Sequence, residues 1–259
     1  MNVELLNAID GKFSDNLVEH GQNTYKKLIV TGHVLEVYEY EKMPVLPSNK
    51  KQNKNDKKID LDLVNFDNTL TDRKNNIQKS RNNFRRLITA NFDENSKFIT
   101  LTFKDNLKDV KQANKEFKKF IQRLRYRYKG FKYAAVVEFQ KRGAVHYHMI
   151  SDFPFVENKK LGDLWGNGFV KINNIEHVDN VGAYMIKYMT KDNDDVRLQG
   201  LKSYQTSKNL IRPIEYVGDE AENIMSLYEL DNKKTVFSNC YETEYLGLTM
   251  YKEFNLKRL

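Results

Sequence analysis

A single cysteine, Cys240, occurs in the 259 residues of the sequence. One thiol cannot form an internal disulfide framework, and it cannot build a zinc site that needs several cysteines. No apolar run approaches the about 18 residues of a membrane-spanning helix, and the first ten residues lack the basic start and apolar core of a secretory signal. These absences exclude a disulfide-rich secreted scaffold and predict a protein of the reducing cytoplasm with no membrane partner.

The sequence also lacks a glycine-rich phosphate loop of the Walker type and any internal repeat, so a fused helicase motor is excluded. Positive charge, in contrast, is plentiful. The 43 Lys and Arg residues outnumber the 35 Asp and Glu residues and give a net charge of +8. This balance favours a polyanion as partner, although an ordinary basic protein has the same composition.

Composition along the chain predicts three segments. Residues 1–70 form an N-terminal β extension, in which residues 24–41 make one or two strands broken near Gly32. Residues 48–58 contain five lysines, one acid and no apolar side chain, which predicts a mobile linker. Residues 71–200 form the main domain, and residues 201–259 form a C-terminal β-rich extension packed on it.

The main domain alternates helical and strand patterns. Apolar residues at helical spacing predict a basic amphipathic helix over residues 71–91 with Thr71 as its N-cap, and a second helix over residues 109–128. A short helix at residues 160–165 and a helix capped by Asp179 or Asn180 follow. Strands are predicted at residues 97–103, 133–139, 145–150 and 168–175, and strand-like segments at residues 202–206, 226–230, 235–241 and 245–251.

Two of the five histidines, His146 and His148, lie two positions apart in an apolar run that follows Gly143. On a strand they point to the same face. If residues 141–143 are a three-residue hairpin loop with glycine in the left-handed position, Glu138 pairs with His146 across the two strands. Glu138 then lies on the same face as the two histidines. Alone, a His-x-His pair is more often structural, but the carboxylate in register predicts a metal site. His33 and His177 have no ligand partner at useful spacing and are interpreted as structural.

Such a ligand set accommodates manganese, magnesium or zinc, and it leaves coordination positions open. An open metal can polarise a phosphoryl oxygen, so the chemistry then needs a nucleophile. Tyr184 and Tyr188 share one face of the predicted fourth helix, and Lys187 lies beside them. A phenol has a pKa of about 10 and attacks poorly unless a metal-polarised target or a nearby cation helps it. Lys187 can supply that cation.

At these residues the sequence resembles a known family. His146-Tyr147-His148 resembles the His-hydrophobic-His signature of HUH endonucleases, the stretch from Tyr184 to Tyr188 resembles their tyrosine motif, and residues 98–103 resemble their first motif. In order and spacing, the resemblance runs roughly from Arg81 to Asp192. The amino-acid sequence around these motifs is similar to that of rolling-circle replication initiators of bacterial plasmids and small single-stranded DNA phages.

The resemblance implies an α+β fold, namely a ferredoxin-like HUH endonuclease domain with a central antiparallel sheet, helices packed on it and N- and C-terminal β-rich extensions. It implies nicking of single-stranded DNA at an origin sequence or hairpin in a bacterial host, with one Mn²⁺ or Mg²⁺ ion as cofactor and a helicase supplied in trans. Tyr184 matches the nucleophile that becomes joined to the 5′-phosphate. Tyr188 is either a second nucleophile or a structural residue.

Exposed basic side chains are more often simply solvated than bound to a ligand. Five of them are nevertheless candidates for binding DNA, namely Lys141, Arg142, Arg81, Arg85 and Lys191. Trp165 either stacks a base or packs in the core. Two other functions fit the same residues. The chain could be a single-strand-binding module with a structural metal, or a metal-dependent hydrolase that cuts without a covalent intermediate.

Overall fold

A computed structural model describes residues 25–44, 65–176, 178, 180–190, 196–198 and 200–258. The chain divides into two compact units. The central unit is Ile59–Arg212, and the terminal unit combines Met1–Lys58 with Pro213–Leu259. The predicted linker at residues 48–58 lies outside the described residues.

The described residues contain ten strands and five α-helices. The strands are β1 (Tyr25–Thr31), β2 (Val34–Tyr40), β3 (Lys97–Thr102), β4 (Tyr133–Phe139), β5 (Val145–Ser151), β6 (Val170–Asn173), β7 (Tyr204–Thr206), β8 (Ile214–Val217), β9 (Phe237–Thr243) and β10 (Gly247–Asn255). The helices are α1 (Asn65–Asn91), α2 (Val110–Arg127), α3 (Asn158–Trp165), α4 (Val181–Thr190) and α5 (Asp219–Leu227). No helix in this part of the chain has the length and apolar character needed to cross a bilayer.

The central unit is built on a five-stranded sheet in the order β6-β3-β5-β4-β7, with every neighbouring pair antiparallel. The middle strand, β5, carries both histidines of the candidate site. Successive residues of a strand point to opposite faces. Tyr147 therefore packs against Phe117 of α2 on one face, while His146 and His148 lie on the other.

Each face of this sheet has its own apolar core. The first core contains Phe117, Tyr147 and Trp165, and it buries the apolar face of α2 and the inner side of α3. Trp165 is fully buried and its indole nitrogen donates to the Thr102 carbonyl, so the packing interpretation of this residue is confirmed. The second core joins Phe98 of β3 to residues of α1 and α4.

The β4–β5 hairpin has the predicted register. Glu138 pairs with His146, and Phe139 pairs with Val145. Gln140 and Ala144 close a three-residue loop through a 2.9 Å backbone hydrogen bond, and Gly143 has a φ of +85°. A residue with a Cβ avoids this left-handed conformation, which explains why glycine holds the third loop position.

Helix α1 begins earlier than predicted. Thr71 lies inside the helix, which includes residues from Asn65 onward, so its interpretation as the N-cap is wrong. The polar sequence before Ile77 hid this first part, because helical periodicity is read from apolar residues. The apolar face that was predicted farther along is confirmed, with Phe84, Leu87 and Ile88 buried.

The two ends of the chain share one sheet in the terminal unit, in the order β8-β1-β2-β10-β9. The break between β1 and β2 falls at Gly32, as predicted. Residues 226–230 are not a strand, because Ser226 and Leu227 end α5 and a 3-10 turn starts at Leu230. The α+β class is confirmed, and it contains two antiparallel sheets.

Candidate metal and tyrosine site

Glu138, His146 and His148 form the candidate metal cluster. One ligand atom from each residue lies within 4.8 Å of the others. His148 Nε2 and Glu138 Oε2 are 2.5 Å apart, and their side chains are 7% and 15% exposed. The predicted hairpin register brings these three residues together, because the cross-strand pair Glu138 and His146 shares its face with His148.

Two threonines of β3 hold the histidine rings, and sequence reasoning did not identify them. Thr102 pairs across the strands with His146, and Thr100 pairs with His148. The Thr102 hydroxyl contacts His146 Nε2, while the Thr100 hydroxyl lies 3.3 Å from His148 Nδ1. The alternation of threonine with apolar residues in β3 was the available signal, since it places both hydroxyls on one face.

The protonation state of His146 suits a metal ligand. Burial and the neighbouring His148 lower the pKa of His146 to about 4, although Glu138 acts in the opposite direction. His146 is therefore neutral at pH 7, and a neutral imidazole can donate its lone pair to an ion. Two imidazoles and one carboxylate fit a divalent cation and leave coordination positions for a substrate. Glu138, His146 and His148 could therefore hold a metal ion, and their ligand types fit more than one divalent metal.

Helix α4 brings the two tyrosines to the same face of the sheet. The Asn180 side chain accepts a 2.8 Å hydrogen bond from the Ala183 backbone and so caps the helix, as one of the two predicted candidates. Met185 and Met189 are buried in the second core. Because these methionines anchor one side of α4, the side that carries Tyr184 and Tyr188 is fixed as well.

Tyr188 lies against the metal cluster, and Tyr184 lies next to it. The Tyr188 ring stacks on the His148 ring with a centroid distance of 4.0 Å. Its hydroxyl donates a 3.2 Å hydrogen bond to the Tyr184 hydroxyl. The centroid of the Phe98 ring lies 5.2 Å from the centroid of each tyrosine ring and 5.6 Å from that of the His148 ring. Phe98 therefore connects the metal cluster to the tyrosines, a role that sequence reasoning did not identify.

The two phenols have different surroundings. Burial, followed by the hydrogen bond to Tyr184, raises the pKa of Tyr188 well above its ordinary value. Lys187 Nζ lies 5.4 Å from the centroid of the Tyr184 ring, on the exposed side of α4. The ammonium therefore lies over the Tyr184 ring, as in a cation–π contact. The arrangement keeps the proton on Tyr188 and places the positive charge beside Tyr184.

Gly182 allows α4 to approach α1 closely. A Cβ at this position would lie 2.8 Å from the Arg85 carbonyl oxygen and would also collide with the Thr89 side chain. We expect Gly182→Ala to lower the free energy of unfolding by about 1–3 kcal/mol, because overpacking forces the helices apart. Denaturant titration measures this change.

Gly162→Ala is the matched control, since an added Cβ in α3 meets open space. We expect this control to be neutral or to stabilise the protein by up to about 1 kcal/mol, as helical Gly-to-Ala changes do. Equal stability of the two variants would show that α1 and α4 do not depend on this close approach.

The predicted DNA-binding residues lie in several places. Lys141 and Arg142 are exposed in the hairpin loop, where Arg142 donates to the Phe103 carbonyl and to Gln140. Arg81 and Arg85 are half-buried on α1. Lys191 lies outside the described residues. A contact of these residues with DNA stays a prediction.

The segment that contains this site matches a known family. Residues 96–193 match the model of the family described as replication-associated protein ORF2. The match is consistent with a replication initiator. It runs from the start of β3 past α4, so it includes the three cluster residues and both tyrosines. Searches of curated proteins and of solved structures found no match.

Proposed function

We propose that the chain is a rolling-circle replication initiator that nicks and rejoins single-stranded DNA through a covalent phosphotyrosine. The observation that carries this proposal is the position of the tyrosine pair, whose Tyr188 ring stacks directly on His148 of the metal cluster. A metal that only stabilised the fold would not need two hydrogen-bonded phenols beside it. The match to replication-associated proteins supports the same function.

In the proposed reaction, the Tyr184 hydroxyl oxygen attacks the phosphorus of a DNA phosphodiester. The new bond joins that oxygen to phosphorus, and the bond from phosphorus to the 3′ oxygen breaks. The 5′-phosphate remains on the tyrosine, while the phenol proton is balanced by protonation of the leaving 3′ oxygen. The released 3′-hydroxyl can serve as a primer, and its attack on the phosphotyrosine rejoins the strand.

Glu138, His146 and His148 would hold the divalent ion, proposed to be Mn²⁺ or Mg²⁺. When bound, the ion supplies Lewis acidity to the phosphoryl oxygens. Thr100 and Thr102 orient the imidazoles, because each hydroxyl contacts a ring nitrogen. Phe98 fixes the His148 ring relative to α4 through its contacts with both tyrosines. These residues hold the site in shape before DNA binds.

Tyr184 is the preferred nucleophile. Its oxygen already accepts a hydrogen bond from Tyr188, and the Lys187 ammonium lies beside its ring. The hydrogen bond from Tyr188 would stabilise the Tyr184 oxygen as the phenol loses its proton, and Lys187 would supply a positive charge near the DNA phosphate. Tyr188 then acts as a donor in the first cut. In a second cut, Tyr184 would already carry the DNA and have no proton to donate, so Tyr188 would attack without a hydrogen bond from it.

The proposal includes the setting of the reaction. The sheet that carries the cluster on β4 and β5 would act as the ferredoxin-like platform of an HUH endonuclease. The substrate would be a specific origin sequence or hairpin of a plasmid or phage in a bacterial cytoplasm. Since the sequence has no Walker-type loop, strand separation would depend on a host helicase.

One gel assay separates this proposal from the two alternatives. Wild-type protein is incubated with labelled single-stranded origin DNA and Mn²⁺, then boiled in detergent and resolved under denaturing conditions. Labelled protein supports the phosphotyrosine mechanism. Cleaved DNA with no labelled protein would favour a hydrolase that releases free ends, and binding without cleavage would favour a single-strand-binding module.

We expect Glu138→Ala to weaken Mn²⁺ binding at least about tenfold while the fold is retained, because it removes the only anionic ligand of the cluster. Calorimetric titration with Mn²⁺ measures the affinity. Glu157→Ala, which removes an exposed carboxylate at the start of α3, is the control and should leave the affinity unchanged. Unchanged affinity in the Glu138 variant would remove the carboxylate from the metal site.

A further inference from the structure

A second basic feature of the central unit lies at the β7 edge of its sheet. A groove of about 1090 Å³ runs between α2, the middle of α1 and residues 200–208. Among the described strands of this sheet, β7 is the outermost on this side, so the groove lies at the edge that β7 forms. Its size is comparable to that of pockets that bind sizeable ligands.

Cations line both walls of the groove. On α2 they recur at helical spacing and form one row, namely Lys111, Lys115, Lys118 and Arg125. Lys202 and Lys208 stand on the facing wall. Among the described residues that line the groove, none is acidic. Six cations without a carboxylate create a strongly positive channel, because facing walls focus the field between them.

Hydrogen bonds fix the walls of the groove relative to the sheet. The Asn114 side-chain oxygen accepts from the Tyr147 hydroxyl at 2.7 Å and from the Gln205 amide at 2.6 Å. Ser207 exchanges hydrogen bonds with the Tyr133 backbone, which extends the pairing of β7 with β4. The cations therefore stand on a framework that is formed before any ligand binds, which lowers the cost of binding.

We propose that this groove binds the phosphate backbone of single-stranded DNA. The row from Lys111 to Arg125 spans about 21 Å at 1.5 Å per helical residue, which is long enough to follow several nucleotides. The half-buried Tyr204 ring also lines the groove, where it packs on Phe84 of α1 with a centroid distance of 4.8 Å. A long positive groove that contacts phosphates holds a strand without reading its sequence.

The groove is separate from the metal cluster. Neither the cluster residues nor Tyr184 and Tyr188 line it. The strand in the groove would therefore be a part of the DNA that is not being cut, held by the same protein during cleavage. This role rests on the proposed function, whereas the binding of a strand in the groove does not.

The test uses the triple variant Lys111→Gln, Lys115→Gln, Lys118→Gln in the full chain. The matched control is Lys119→Gln, Arg127→Gln, Lys129→Gln, which removes the same charge from exposed positions on and just after α2, outside the groove. Fluorescence anisotropy with a labelled 20-nucleotide single strand measures affinity over a salt series. EDTA is present, so no cutting occurs. Thermal unfolding of both variants checks that the fold is retained.

We expect the groove variant to lose single-strand affinity at least about tenfold at low salt. The slope of log affinity against log salt should also become shallower by about 2, since each lost phosphate contact contributes about 0.7 for a single strand. The control variant should change by less than a third as much. Because EDTA prevents cutting, this result stands or falls independently of adduct formation.

Three results would overturn the proposal. Equal losses in the two variants would mean that the row of lysines is ordinary solvated surface charge. A loss confined to a duplex probe would assign the groove to double-stranded DNA instead. Competition by polyglutamate as effective as that by unlabelled single strand, at equal charge concentration, would show general attraction to polyanions. Groove-dependent binding by a wild-type protein that forms no adduct would leave this inference standing while refuting the proposed function.

Discussion

Tyr184→Phe is expected to abolish the covalent protein–DNA adduct, with nicking reduced on the order of a thousandfold or more. The substitution removes the oxygen that accepts the hydrogen bond from Tyr188, while Lys187 stays over the retained ring. The ring that packs on Phe98 is retained, so the loss reports on the hydroxyl and not on packing. Adduct formation with labelled single-stranded DNA and Mn²⁺ measures the effect.

Tyr188→Phe is the matched variant. It removes the hydrogen bond that Tyr188 donates to Tyr184 but leaves the preferred nucleophile, so the first cut should slow by about tenfold, as for one neutral hydrogen bond. Adduct at the wild-type level in the Tyr184 variant, together with its loss in the Tyr188 variant, would reverse the assignment. Undiminished adduct in the double variant would refute a tyrosine mechanism.

Loss of the metal is expected to have an effect of similar size. Chelation by EDTA should abolish cutting, and readdition of Mn²⁺ should restore it. His148→Ala should slow nicking on the order of a thousandfold, which corresponds to a rise of about 4 kcal/mol in activation free energy. The substitution removes a candidate metal ligand and the ring on which Tyr188 stacks. Single-turnover nicking over a range of Mn²⁺ concentrations measures this loss.

His33→Ala is the control, since His33 belongs to the terminal unit. It should nick at the wild-type rate. Cutting that persists in EDTA at the wild-type rate would mean that Glu138, His146 and His148 are a structural cluster. Saturating Mn²⁺ should not rescue His148→Ala fully, because the stacked ring is missing as well as the ligand.

The sequence predicted those parts of the site that depend on local rules. The three-residue loop with Gly143 determined the hairpin register, and that register placed Glu138 opposite His146. The i, i+4 spacing likewise placed Tyr184 and Tyr188 on one face of α4. Turn length and helical spacing act over a few residues, so one sequence is enough to apply them.

The contacts that join distant elements could not be predicted in this way. Phe98 touches His148 and both tyrosines, but β3 and α4 are far apart in sequence and a strand pattern does not show what packs on it. The pairing of β2 with β10 also joins opposite ends of the chain, so two predicted extensions form one sheet. Helix α5 was missed because its 9 residues are too few to show a clear helical period, and its last two were interpreted as part of a strand over residues 226–230.

Mapping the DNA-linked tyrosine by mass spectrometry tests the central claim most directly. Trypsin cuts after Lys171, Lys187 and Lys191, so Tyr184 lies in the peptide of residues 172–187 and Tyr188 in that of residues 188–191. After wild-type protein reacts with origin DNA and Mn²⁺ and the DNA is trimmed by nuclease, we predict a nucleotide mass on residues 172–187, localised by fragmentation to Tyr184. A nucleotide on neither peptide, with cleaved DNA in the same sample, would contradict the phosphotyrosine mechanism.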